Sequence, residues 1–234
     1  MTGFRVVVVG AGPAGLRAAA TLAAAGVPAV VIDEQARAGG QIYRRPPAGF
    51  RRPGRALYGF DAARARALHG LADELATKVD YRAETLAWNV SDGAVYTLRD
   101  GVLGRVPFDA LILAPGAMDL VLPFPGWTLP GVFTLGGAQV ALKAQACAIG
   151  RRVAFVGSGP LLTLVADQYL RAGVELAGVL ETSPAALARH ALPALAADPV
   201  RLARGLVYRA HLARHGQRVR HGATPLEVVG ADRV

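Results

Sequence analysis

Apolar residues fall along this chain in two alternating rhythms, and together they predict most of its elements. Arg5 to Val9 is a continuous β-branched run of the kind that forms a strand buried on both faces. Ala14 to Ala25 follows with strong helix formers, Gly26 and Pro28 stop the helix, and Ala29 to Ile32 is a second apolar strand. Gln41 to Phe60 is dense in Pro, Gly and Arg and is expected to be an ordered, irregular excursion. Helical spacing resumes at Asp61, a candidate N-cap, and continues to Lys78 with Leu68, Leu71 and Leu75 on one face. Strand patterning then covers Asp80 to Val90, Ala94 to Arg99 and Val102 to Phe108. The Asp92-Gly93 and Asp100-Gly101 turns between them predict three antiparallel strands. Asp109 to Leu113 returns as an apolar strand suited to a parallel sheet and ends at Ala114-Pro115-Gly116.

Past the prolines of Leu122 to Pro130 a helix is expected from Gly137 to Ala148, after which the opening pattern repeats. Arg152 to Val156 reads as a strand, Gly157-Ser158-Gly159 as a glycine turn and Pro160 to Ala172 as a helix stopped by Gly173. Glu175 to Leu180 is then a strand ending at Glu181. The predicted fold is therefore α/β: tandem Rossmann-like (ββα three-layer) dinucleotide-binding units, residues 1–147 and 148–234, the second incomplete. Thr224 to Val229 reads as a strand and Gly230 to Asp232 as a hairpin turn, but the sequence stops at Val234 before a returning strand forms. An unpaired strand is a liability, so the polypeptide is expected to be cut short.

The chemistry concentrates at the two glycine turns. Gly10 permits the tight turn after the first strand, Gly12 lets backbone approach a pyrophosphate, and Gly15 lets the helix pack closely on the strand. With Ala11, Pro13 and Ala14 they form the candidate phosphate cradle, since a helix N-terminus points free N–H groups and a positive dipole end at an anion. An acid about 20 residues further on should bind the ribose hydroxyls, and Asp33 stands there with Glu34 as its competitor. In the second copy Gly157, Gly159 and Glu181 hold the corresponding places, but Leu162 replaces the third glycine and must set helix and strand farther apart. Two readings stand for that copy: a nicotinamide dinucleotide site and a retained scaffold.

Composition narrows the classes. The chain has 234 residues and is 53% hydrophobic, enough for a sizeable core, and no apolar run is long enough to span a bilayer. Without a signal-peptide pattern, a cytoplasmic location is the expectation. The single cysteine, Cys147, excludes an internal disulfide and a CxxC redox pair, and its apolar neighbours predict a buried packing role. A net charge of +9 raises an acidic partner such as RNA. The arginines cluster only in Tyr43 to Arg55 and Arg201 to His221, and the 6% aromatic content lacks the interleaved rings of a nucleic-acid surface, so no nucleic-acid partner is expected. His69, His190, His211, His215 and His221 are read as exposed helix positions rather than as members of a zinc site or a catalytic triad, so no metal site is expected.

Four segments carry a family resemblance: VVVVGAGPAG at 6–15, DEQARAGGQIYRRPP at 33–47, LPFPGWTLPGVFTLGGAQ at 122–139 and VAFVGSGPLL at 153–162. They resemble the flavoproteins with two dinucleotide-binding domains, in particular the α-subunit type of multisubunit amino-acid dehydrogenases and oxidases. That group includes subunits of hydrogen cyanide synthase, opine oxidase, D-hydroxyproline and proline dehydrogenase, and sarcosine oxidase. The resemblance implies FAD at the first unit, with Gly39, Gly40 and Gln41 against it and Ala114 and Gly116 closing the site, and NAD(P) as the ligand of a functional second unit. Pro115 departs from the Ala-Thr-Gly of the wider superfamily and removes an N–H donor. A C-terminal flavin-contacting segment of that superfamily is also missing from the sequence.

The resemblance further implies oxidation of an amino-acid or opine C–N bond by hydride transfer to flavin. It implies two partner subunits as well, a companion glycine-oxidase-like flavoprotein and a small iron–sulfur protein. No residue stands out as catalytic. The alternative is a nucleotide-binding scaffold subunit without turnover, which Leu162, Pro115 and the early stop favour, as GGQIYR favours the enzyme.

Overall fold

The computed structural model describes residues 4–191 and 197–234. Their contacts divide the chain into two compact units that meet at Met118 and Asp119. The sequence pattern placed that division later, after residue 147.

The first unit opens with β1 (Val6–Val9), α1 (Pro13–Ala24) and β2 (Ala29–Ile32), as the apolar pattern predicts. The loop that follows is not wholly irregular: it contains a short helix α2 (Gly54–Tyr58) and a 3-10 turn (Gly59–Asp61) ahead of α3 (Ala62–Leu75). Asp61 sits at the α3 N-cap position, but its carboxylate makes no capping bond and instead pairs with Arg64 at 3.3 Å. Leu68 and Leu75 are buried as the helical spacing requires.

The single strand expected over Asp80 to Val90 is two strands in two sheets. β3 (Asp80–Arg82) joins the parallel sheet, and β4 (Leu86–Ser91) starts an antiparallel one. Between them the chain crosses the end of β2: Glu84 turns left-handed at φ 53°, its N–H bonds Gln35 O, and Thr85 N–H bonds Asp33 O at 2.9 Å. Periodicity alone carries no mark of that crossing. β5 (Ala94–Arg99) and β6 (Val102–Pro107) complete the three-stranded meander β4-β5-β6 through the two Asp-Gly turns, and β7 (Ala110–Leu113) returns to the parallel sheet, whose order is β3-β2-β1-β7.

Alternation along β1 explains the layering. Val8 packs with Leu16, Val31, Leu68 and Leu75 under the helices, while Val7 packs with Val30, Ile32, Val95 and Val106 under the meander. Helices, parallel sheet and meander thus form the three predicted layers, and each fully buried valine contributes about 1.5–3 kcal/mol.

The second unit holds α4 (Leu135–Lys143), β8 (Arg152–Gly157), α5 (Pro160–Arg171), β9 (Glu175–Glu181), a 3-10 segment (Ala185–Ala191), α6 (Pro199–Arg214) and β10 (Val219–His221). Its parallel sheet runs β10-β9-β8. One face buries Val153, Phe155, Leu176 and Val179 against Leu142, Val165, Tyr169 and Leu212 of the helices. The other, with Ala154 and Val156, is exposed. α4 begins two residues earlier than expected because Thr134 caps it, its hydroxyl accepting Gly137 N–H at 3.0 Å. It also ends earlier: Ala146 turns left-handed at φ 58° and Cys147 N–H bonds back to Ala141 O, with no glycine to signal the stop.

Three further expectations are corrected. Cys147 is exposed, because the helix that would have buried it ends first. Thr224 to Val229 forms no strand and lies along the proline-rich segment, Val228 N–H bonding Pro125 O at 2.9 Å and Val234 N–H bonding Pro130 O at 3.0 Å. The histidines are not all exposed helix residues: His69 is half-buried, His221 lies on β10, and His211 Nδ1 meets the buried Asp167 at 2.6 Å. An acid on α5 reaches a histidine on α6 only through helix packing, so spacing could not reveal the pair. Among the described residues no helix is long and apolar enough to cross a membrane, and no group of His, Cys, Asp and Glu is gathered as metal ligands.

Candidate dinucleotide site

The first glycine turn is set by backbone contacts that leave no room for side chains. Gly10 adopts φ 101°, its N–H bonds Ile32 O at 2.7 Å, and a Cβ there would be driven into the Ala114 carbonyl at the end of β7. A Cβ on Gly15 would strike the Gly10 carbonyl in the same way, so α1 presses directly on the turn. Gly12 is the extended N-cap and Pro13 the first helical residue, with no side chain capping the end. The first helical bond is Leu16 N–H to Gly12 O at 3.0 Å. The Gly12, Ala14 and Gly15 N–H groups precede it and have no acceptor among the described residues. Open N–H groups at a positive dipole end suit an anion.

Asp33 is 9% exposed at the tip of β2, and its carboxylate is part of the turn. One oxygen accepts Ala11 N–H and the other Gln35 N–H at 2.7 Å. Burial raises its pKa above the ordinary carboxylate value, while the Ala11 and Gln35 N–H groups and Arg44 act in the other direction. Glu34 beside it is exposed.

Gly39 and Gly40 lie against the turn. Gly39 N–H bonds Ala11 O at 2.9 Å, and a Cβ on Gly40 would stand 2.8 Å from Gly12 Cα, too close for any side chain. Gln41 donates its side-chain amide to Ala117 O, while Gly116, at φ 80°, has open space around it.

Sequence reasoning missed the latch that holds this loop. His69 bonds Tyr43 O at 2.7 Å, Arg45 donates to His69 O at 2.6 Å and Asp73 at 2.8 Å, and Tyr58 donates to Arg44 O at 2.6 Å. Arg44 reaches Gln35 Oε1 at 2.8 Å, tying the loop to the tip of β2. The only signal for it was the arginine density of Tyr43 to Arg55, and part of that cluster is thus structural. Burial lowers the pKa of Arg44 and, against the Tyr43 carbonyl bond, that of His69.

The second turn repeats the plan with different parts. Gly159 caps α5 at φ 90°, Pro160 opens it, and Leu162 N–H makes a long 3.3 Å bond to Gly159 O. Leu162 is 1% exposed, its Cδ1 3.8 Å from where a Gly157 Cβ would be. A side chain thus fills the space that Gly15 leaves empty in the first copy. Glu181, 9% exposed at the tip of β9, accepts Gly159 N–H at 3.2 Å and Ser183 N–H at 3.1 Å.

A three-layer Rossmann-like unit with an open glycine turn, followed by a second βαβ unit, defines a dinucleotide-binding protein of the tandem type. Residues 4–233 match the family model described as pyridine nucleotide-disulphide oxidoreductase, and the chain belongs to that family. It is 35% identical to one of the subunits of opine oxidase from Agrobacterium tumefaciens, over 97% of its own length and 47% of that protein. It is 37% identical to hydrogen cyanide synthase subunit HcnB of Pseudomonas protegens, over 97% of the chain and 48% of that protein. The chain thus spans about half the length of these curated relatives. Among solved structures, L-proline dehydrogenase from P. horikoshii superposes with a TM-score of 0.61 at 26% identity, covering 75% of this chain and 36% of that one. An engineered water-forming NADPH oxidase bound to NADPH shares the fold, with a TM-score of 0.66 at 16% identity over 97% of this chain and 49% of that one.

Proposed function

We propose that this chain is the nucleotide-holding part of a flavin-dependent oxidoreductase subunit, with FAD at the first glycine turn, acting in the oxidation of an amino-acid or opine C–N bond. The observation that carries the reading is the cradle itself: unaccepted N–H groups at Gly12, Ala14 and Gly15, above which the Gly39-Gly40 backbone approaches as closely as a missing side chain allows. These residues fit a pyrophosphate. The Gly12, Ala14 and Gly15 N–H groups would donate to it, and the remaining lone pairs of Asp33, or the exposed Glu34, would accept from the ribose hydroxyls. The flavin supplies hydride acceptance when bound, and the protein supplies orientation. Gly10, Ala11, Pro13, Gln41, Ala114 and Gly116 shape the walls of that site.

The relatives that are subunits of opine oxidase and hydrogen cyanide synthase support the substrate class and a hetero-oligomer. The proposed partner subunits are a glycine-oxidase-like flavoprotein and a small iron–sulfur protein. A second reading, a nucleotide-binding scaffold without turnover, draws on Pro115, which offers no N–H beside the open Gly116. Purified protein should show oxidised-flavin bands near about 370 and 450 nm that bleach when a co-purified partner subunit receives an amino acid or opine. A colourless protein that binds no added FAD sinks the first reading, and bands that never bleach with the assembled complex favour the scaffold.

A further inference from the structure

The two turns use their acids differently, and the difference of one residue decides what the second can hold. In the first unit Asp33 takes the N–H of Ala11, one position ahead of the helix cap, and the cap N–H of Gly12 stays open. In the second, Glu181 has one more methylene and takes the N–H of Gly159, the counterpart of Gly12. The next-but-two N–H, on Leu162, is spent on Gly159 O. Two of the three donors left open in the first copy are thereby occupied in the second, one of them by a carboxylate lying at the positive end of α5.

We propose that Glu181 is an internal substitute for a nucleotide phosphate: it holds the second glycine turn closed, and the second unit takes no pyridine dinucleotide while the carboxylate stays there. A pyrophosphate and this carboxylate need the same N–H and carry the same sign of charge, so one excludes the other. The turn is built for the closed state. Ser183 N–H fixes the second oxygen of Glu181, and the buried Leu162 side chain occupies the space that close helix packing would use. Glycine spacing is retained here for the turn, and Glu181 braces it.

The test uses the full chain labelled with 15N-glycine and saturated with FAD, with NADH as the titrant. The Gly159 amide resonance should not move up to about 1 mM NADH, the weak end of specific affinity. Glu181→Gln, which removes the charge, should let NADH shift that resonance with an affinity at least about 10-fold tighter than wild type, a difference of about 1.4 kcal/mol. A saturable NADH shift at Gly159 in the wild type, or no gain in Glu181→Gln, overturns the proposal. Should Glu181→Gln fail to fold, the wild type decides: a Gly159 amide that NADH leaves unmoved supports closure, and a saturable shift overturns the proposal. The Gly12 amide reports on FAD in the same spectra, so a failure of flavin binding at the first turn is read apart from a failure of closure at the second.

Discussion

The carboxylate of Asp33 accepts the backbone N–H of Ala11, twenty-two positions back along the chain, and so becomes part of the turn whose ligand it would recognise. Glu34, its neighbour, projects into solvent. Replacing Asp33 with Ala orphans the Ala11 and Gln35 N–H groups, and about 1–3 kcal/mol of stability should be lost. Glu34→Gln should leave stability unchanged within about 0.5 kcal/mol. Urea unfolding of the two variants checks the contrast, and equal losses would remove the structural role given to Asp33.

Gly12 and Gly15 should fail in different ways. A Cβ on Gly12 meets only Gly40 Cα at 3.7 Å, an ordinary contact, whereas one on Gly15 enters the Gly10 carbonyl. Gly12→Ala should therefore fold, losing about 1 kcal/mol at the helix cap, yet bind flavin at least tenfold more weakly. Gly15→Ala should lose about 1–3 kcal/mol through overpacking. Thermal melts alongside absorbance near about 450 nm separate the two effects; a Gly12→Ala protein with undiminished flavin would show that the cradle is not the site.

Acid should loosen the loop latch. Burial lowers the pKa of His69 below its ordinary 6.5, so the unfolded chain takes up its proton first as pH falls. The stability from this group is complete above 6.5 and is lost as pH falls through the folded value. The bond to Tyr43 O requires a proton on Nε2, and the neutral ring supplies it. His69→Gln should flatten the dependence of melting temperature on pH below 6.5 relative to wild type. Parallel melting curves for the two proteins across that range would remove His69 from the account.

Cys147 lies exposed past the end of α4, so a thiol reagent should modify native protein stoichiometrically without unfolding it. Labelling that requires denaturant would restore the buried role expected from its apolar neighbours.

Leu162 has become core. At 1% exposure it packs with Phe155, Val165 and Tyr169, and Leu162→Ala should cost about 2–5 kcal/mol in chemical denaturation. A cost below about 1 kcal/mol would mean that the second turn tolerates a small residue there and that Leu162 does not fill it.

Local pattern was enough to determine the two βαβ units, their glycine turns, the Asp-Gly hairpins and the acids at the tips of β2 and β9. These depend on spacings of a few residues, on strand and helix periods and on the backbone freedom of glycine. Other features were decided only by tertiary structure. Where the chain leaves the parallel sheet at Glu84, what holds the loop over the site through His69 and Arg45, and which histidine finds an acid depend on bonds between residues far apart in sequence. The use made of each acid belongs to the same class. Asp33 and Glu181 hold equivalent places in two copies of one motif, and one extra methylene together with the φ of 90° at Gly159 sets which N–H each carboxylate reaches. That choice is three-dimensional, because a side chain meets whatever donor the folded backbone brings within about 3 Å of it.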